Sequence, residues 1–182
     1  MENCNTLYKM TKTVTYIDCP NYWQSAGDYS SHRPLLFLAL NNINKGVVIE
    51  VGSGDGSTNL MERLCRELGH KFISYETNTE WGSKYPSVRI IDNYDNIKLS
   101  EGEYKASLLF IDSAPGEQRK ELIAKHSNNA DVIVIHDTEV GAEYVYGMND
   151  ILNTFKYRLD YKPQGEPNTT IVSNEINVCQ WV

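Results

Sequence analysis

Three groups of residues have the types and spacing to do chemistry. The first is the run Glu50-Val51-Gly52-Ser53-Gly54-Asp55-Gly56-Ser57-Thr58. Glycines at alternate positions let the backbone turn sharply and let a ligand come close to main-chain amides. A helix starting at the end of the run would add unpaired N–H groups and a partial positive charge. The second is Glu76, about 20 residues beyond the last of these glycines, the distance at which a carboxylate can accept both hydroxyls of a ribose. The third is a pair of polar clusters that each follow a buried-looking run: Asp112 after Leu109-Phe110-Ile111, and His136-Asp137 after Val132-Ile133-Val134-Ile135. Two carboxylates brought side by side offer hard oxygen ligands to Mg2+, and an imidazole between them offers a general base.

Such residues act together only if the chain carries them to one place. Val47-Val48-Ile49-Glu50-Val51 reads as a buried strand. Leu60, Met61, Leu64, Cys65 and Leu68 then recur at helical spacing, and Gly69 supplies a stop. Further strands are expected over 72–75, 88–91, 107–111 and 131–135, with helices over 116–126 and 140–155. The chain closes with two strands, 157–161 and 169–178, joined by Pro163-Gln164-Gly165-Glu166-Pro167. Ahead of all this, Ser30-Ser31-His32-Arg33-Pro34 reads as a capped helix start, and the helix should stop near Asn44-Lys45-Gly46. The first 30 residues show no period, but they are rich in aromatics at Tyr8, Tyr16, Tyr22, Trp23 and Tyr29. The near-continuous apolar strands require helices on both faces. The expected fold is therefore α/β: a doubly wound, seven-stranded, mostly parallel sheet with a C-terminal antiparallel hairpin on its edge. One domain over 1–182 is expected, with a core at 46–182 and a lid-like segment and helix at 1–45. In such sheets ligands bind outside the carboxyl ends of the strands, where all three groups fall.

The pattern E-x-G-x-G-x-G on this order of elements differs from the G-x-G-x-x-G of dinucleotide sites. It resembles the first motif of the class I, Rossmann-like methyltransferases that use S-adenosylmethionine, over roughly residues 46–178. The resemblance implies that Glu50, Gly52, Ser53, Gly54, Asp55, Gly56 and Ser57 bind that cofactor. It places the ribose at Glu76, the adenine near Asp92 and Asn93, and Asp112 beside the cofactor. The nearest pattern is that of the metal-dependent small-molecule O-methyltransferases, whose acids at the two later strand ends hold a divalent ion. That carries over to Asp112 and Asp137 with Mg2+, and makes Asp112, His136 and Asp137 the expected catalytic set. The chain departs from the catechol type in carrying His136-Asp137-Thr138 instead of Asp-Asn, which leaves general-base action by His136 as the alternative. The implied reaction is O-methylation of a small polar acceptor, sugar-containing ones included. A non-catalytic S-adenosylmethionine-binding or regulatory domain, or another transferase using this cofactor, stands as the competing reading.

Composition narrows the partners. The 182 residues include 24 acidic and 17 basic side chains, a net charge of −7. That counts against binding along phosphate backbones, which needs clustered Lys and Arg. Arg63, Arg66 and Lys71 come nearest to a basic patch and read as a solvated helix face. Arg119 reads as a partner of Glu121 or Asp112, with capture of an anionic group as the alternative. His32 and Arg33 could join the aromatic segment as a substrate lid, whereas His70 and His126 fall at helix ends and read as ligand-free. The cysteines at 4, 19, 65 and 179 lack zinc-like spacing and read as reduced thiols. No apolar run approaches the roughly 20 residues of a membrane span, and no basic-then-apolar leader opens the chain. The expectation is a cytoplasmic protein off the membrane, with the C-terminal hairpin edge as a candidate homodimer contact.

Overall fold

The computed structural model describes residues 9–97, 99 and 105–182; Cys4 and Tyr8 lie outside them. Eight strands form one sheet: β1 (Met10–Val14), β2 (Val47–Val51), β3 (Lys71–Glu76), β4 (Val88–Ile90), β5 (Ala106–Ile111), β6 (Ala130–His136), β7 (Tyr157–Tyr161) and β8 (Thr169–Ser173). Their order across the sheet is β1-β7-β8-β6-β5-β2-β3-β4. β2 to β6 run parallel, and β8 lies antiparallel between β6 and β7. The seven expected strands are all present, in the doubly wound order.

Alternation along the buried strands divides the core in two. Val48, Leu108, Phe110, Val132 and Val134 face α1 (Arg33–Asn42) and α2 (Thr58–Leu68) through Leu36, Leu40, Met61 and Leu64. Ile49, Val51, Leu109, Ile111, Ile133 and Ile135 face the other way. They meet α4 (Arg119–His126) and α6 (Asn149–Leu152) through Leu122, Ile123 and Leu152. A short α3 (Thr79–Gly82), unmarked by any hydrophobic period, follows β3 and is capped by the Asn78 side chain.

Three expectations are corrected. The hairpin of β7 and β8 is not the sheet edge, because β1 pairs in parallel with β7 from Met10 to Val14. That strand is largely exposed and carries no apolar alternation, so backbone pairing holds it where the sequence gives no signal. A second copy pairing along this side would have to use β1, not the hairpin. The helix expected over 140–155 is broken at Gly147, whose φ of 59° separates α5 (Val140–Tyr146) from α6. The serines before α1 do not cap it. His32 holds the cap position without a side-chain bond, the Ser30 hydroxyl accepts from Ala26 N, and Ser31 turns into the protein.

One glycine fixes how the strands converge. Gly52 leaves β2 with φ 93°, and its N–H donates to the Tyr75 carbonyl. A Cβ here would lie 2.4 Å from the backbone oxygen of Asp112. The exits of β2 and β5 therefore touch through bare backbone. Gly54 has no such constraint, since a Cβ there meets nothing nearer than 3.8 Å. Gly52→Ala is expected to destabilise the protein by about 2 kcal/mol or more, and Gly54→Ala by less than about 1 kcal/mol. Urea denaturation of the two variants checks the contrast.

Candidate functional site

The carboxyl ends of β2, β5 and β6 open into a crevice of about 860 Å3, lined on one wall by Ser53, Gly54, Asp55, Gly56 and Ser57 and on the other by Asp112, Arg119, His136 and Asp137. Tyr29, His32, Trp81 and Pro167 complete its rim. The sequence brings together eight of its expected residues here: the five from the loop plus Asp112, His136 and Asp137.

The loop is braced from below and from the side. Glu50 is fully buried, and its carboxylate accepts from the hydroxyls of Ser57, Thr58 and Ser74. It lies beneath the loop and does not line the crevice. Burial raises its pKa to about 7, against the pull of those three hydroxyls. Glu76 closes β3 and accepts from Ser53 N at 3.0 Å, Thr77 N and Asn78 N at 2.8 Å, and Tyr94 OH at 3.2 Å. It is thus a buried anchor for the loop, next to the crevice. Trp81 Nε1 donates to the Ser53 carbonyl, and Tyr85 donates to Asp55. Gly52 sits under the Asp112 backbone, away from the open space. Asp92 and Asn93 are exposed. Asn93 accepts from Asp95 N as a cap and faces a separate, smaller cleft with Gln118 and Leu122.

The N-terminal segment supplies part of the wall. Arg33 donates to the carbonyls of Gly56 and Asp55. A Cβ on Gly56 would strike the Tyr29 carbonyl at 1.9 Å, so the third glycine makes room for this segment. Trp23 anchors it in the core, whereas Tyr29 stands 91% exposed at the rim.

At the opposite wall, Arg119 donates to Asp112 at 3.0 Å, to Asp137 at 2.8 Å, and to the carbonyls of Ser113 and His136. Asp137 takes a left-handed φ of 57°, a strained conformation for a non-glycine residue. His136 Nδ1 lies 3.2 Å from Asp112 and 3.5 Å from Asp137, and its Nε2 lies 2.8 Å from Ser31 Oγ. Burial alone would lower the His136 pKa, but the adjoining Asp112 and Asp137 charges carry it above the ordinary histidine value. Burial alone would raise Asp112, yet His136 and Arg119 hold it down to about 2. The Arg119 guanidinium bridges the Asp112 and Asp137 carboxylates and occupies the place between them where the expected Mg2+ would lie. Ser31 was not legible as a site residue, since Ser before Pro-containing helix starts is the usual sign of a cap.

No protein-family model matches the sequence, and no curated protein matches it. Solved structures do. The O-methyltransferase TomG of Streptomyces achromogenes, involved in tomaymycin synthesis and solved with S-adenosylmethionine, is 12% identical, with a TM-score of 0.55 over 86% of this chain and 91% of that one. A methyltransferase of Pyrococcus furiosus is 14% identical, TM-score 0.53, over 88% and 89%. Precorrin-6y C5,15-methyltransferase of Geobacter metallireducens is 13% identical, TM-score 0.51, over 85% and 94%. At these identities the likeness is one of fold.

Glu50 generates a prediction of its own. A carboxyl whose pKa is raised on folding lends stability below its unfolded value of 4.5, and loses it as pH rises through about 7. Stability measured by urea denaturation should fall across that window in the parent chain. In Glu50→Gln that part of the fall should vanish, and a profile unchanged by the substitution would refute the assignment.

Proposed function

We propose that this chain, whose fold is that of the class I S-adenosylmethionine-dependent methyltransferases, transfers a methyl group from that cofactor to an oxygen of a small polar acceptor. The observation that carries this reading is the crevice itself. Its glycine loop and its polar cluster face each other across about 860 Å3, within the range of sites that enclose small ligands.

In this reading the cofactor lies along the loop. Main-chain amides at Asp55 and Gly56, between the internally bonded amides of Gly54 and Ser57, meet its amino-acid portion. Glu76 grips the ribose by exchanging the bonds from Ser53 Oγ and Tyr94 for ribose hydroxyls, and Trp81 walls the crevice beside it. Glu50 acts one layer down, keeping the loop in shape. The acceptor enters past Tyr29 and Pro167 and places its hydroxyl at Asp112, His136 and Asp137.

Methyl transfer from a sulfonium needs little more than alignment, and fixing the two reactants in line supplies much of the rate. The acceptor oxygen forms a bond to the methyl carbon while the S–CH3 bond breaks, leaving neutral S-adenosylhomocysteine. The hydroxyl proton passes into the Asp112–His136 pair, whose imidazolium form the two carboxylates stabilise. Arg119 keeps both carboxylates in position throughout. A net charge of −7 favours a small acceptor over a nucleic acid. Cys19, Cys65 and Cys179 are free thiols, in keeping with a reducing, cytoplasmic setting.

Calorimetric titration tests the reading first. S-adenosylmethionine and S-adenosylhomocysteine should bind with micromolar affinity, about −8 kcal/mol, and NAD should not. Absence of binding by the first two would remove the proposal. Glu76→Gln should weaken both by about tenfold, the loss of roughly one charge-assisted hydrogen bond. Once an acceptor is found, His136→Ala should cut turnover by about a hundredfold or more while leaving cofactor affinity within about twofold of the parent.

A further inference from the structure

The polar end of the crevice contains a side chain that the methyl-transfer reading leaves idle. His32 is almost wholly buried and lines the crevice. Its ring packs on Phe110 and stands edge-on to His136, centroids 4.7 Å apart. Among the described residues neither of its nitrogens completes a hydrogen bond, although the Gly56 backbone lies alongside. Buried polar atoms are rarely left in that condition, and each one calls for a reason.

We infer that His32, Asp112 and His136 form a site for one divalent transition-metal ion of the Zn2+, Co2+ or Fe2+ class. One ligand atom from each residue lies within 4.8 Å of the others, close enough for a common ion after small side-chain adjustments. Two imidazoles and one carboxylate suit these borderline metals, whereas Mg2+ prefers oxygen ligands throughout. The three residues leave the crevice side open, as a catalytic ion requires for water or substrate.

The surroundings agree with an ion. Ser31 Oγ sits 2.8 Å from His136 Nε2, the outer hydrogen bond that ligating histidines usually make. When Nε2 donates to that hydroxyl, Nδ1 turns its lone pair toward Asp112 Oδ1 at 3.2 Å. Two lone pairs so close need a proton or a cation between them. Local charge leaves room for one: Asp112 and Asp137 carry two negative charges and Arg119 one positive. Arg119 Nη2 holds Asp112 Oδ1 at 3.0 Å, the same oxygen that faces His136 Nδ1, so the ion would reach this carboxylate from the imidazole side and share it with the guanidinium.

This inference rests on the methyl-transfer reading and deepens it. With an ion here the acceptor oxygen becomes a ligand, and its hydroxyl loses a proton more readily to water in the open crevice. His136 then anchors the ion in place of taking the proton itself, and an acceptor with two adjacent oxygens could chelate it.

The test uses the purified full chain stripped with a chelator and titrated with Co2+ under visible spectrophotometry. Absorption bands of a nitrogen-ligated ion should grow to one Co2+ per chain, bleach on adding Zn2+, and persist in a large excess of Mg2+. His32→Ala, and the closer-sized His32→Gln should the first not fold, should weaken Co2+ binding by about tenfold or more. His70→Asn, a histidine outside the cluster, should leave it unchanged. Calorimetry with S-adenosylmethionine on the same samples separates the two readings. A chain that binds the cofactor but no Co2+ overturns the ion site alone. Co2+ binding that survives loss of His32, or that Mg2+ displaces, overturns it as well. Co2+ binding without cofactor binding sustains the site and removes the reading it was built on.

Discussion

Arg119 enters from the first turn of α4 and spends its guanidinium on four groups: the carbonyls of Ser113 and His136 and the carboxylates of Asp112 and Asp137. These belong to the exits of β5 and β6, the two central strands whose ends form one wall of the crevice. Burying a charge is costly unless it is paired and hydrogen-bonded, and here every partner is supplied within the protein. The planar fork suits this place in a way a lysine could not, because it reaches two carboxylates and two carbonyls at once. Without it Asp112 and Asp137 would face each other as like charges, and the left-handed turn at Asp137 would lose the contact that favours it. The position of His136, and through it of Ser31 and His32, follows from that arrangement.

The opposite wall is organised by a second buried charge with a different solution. Among the described residues Glu50 meets no cation; three hydroxyls converge on it from the start of α2 and from β3. The loop above is thus tied to the strand below it and to the neighbouring strand. Glu76 repeats the device one strand further on with backbone amides. Both acids shape the loop before any ligand arrives, so the site is largely preorganised.

Much of the sheet could be read from the sequence because β2, β5 and β6 are buried on both faces and announce themselves as apolar runs. The glycine loop and the acids after β5 and β6 followed from where such runs end. The remainder was hidden for physical reasons. β1 is held by main-chain pairing, which leaves no mark on side-chain pattern. Ser31 looks like a cap because a hydroxyl before a helix start ordinarily is one, and only the fold reveals His136 as its partner. Arg119 was legible as a partner for Asp112, but its bridge to Asp137 depends on a backbone conformation that no residue type signals. Asn93 puts its turn chemistry to use as a cap, with Asp92 exposed beside it, away from the main crevice.

The pairing of β1 with β7 has a consequence for how the molecule is made. Synthesis runs from the N-terminus, and Met10–Val14 emerges long before its partner Tyr157–Tyr161. Contacts so distant along the chain form late and carry a large loop-closure cost. The segment that walls the crevice through Tyr29 and His32 is tethered at one end by this strand. A nascent chain that has already formed the central sheet therefore still lacks the tether, and the crevice reaches its final form only after the C-terminal hairpin has left the ribosome.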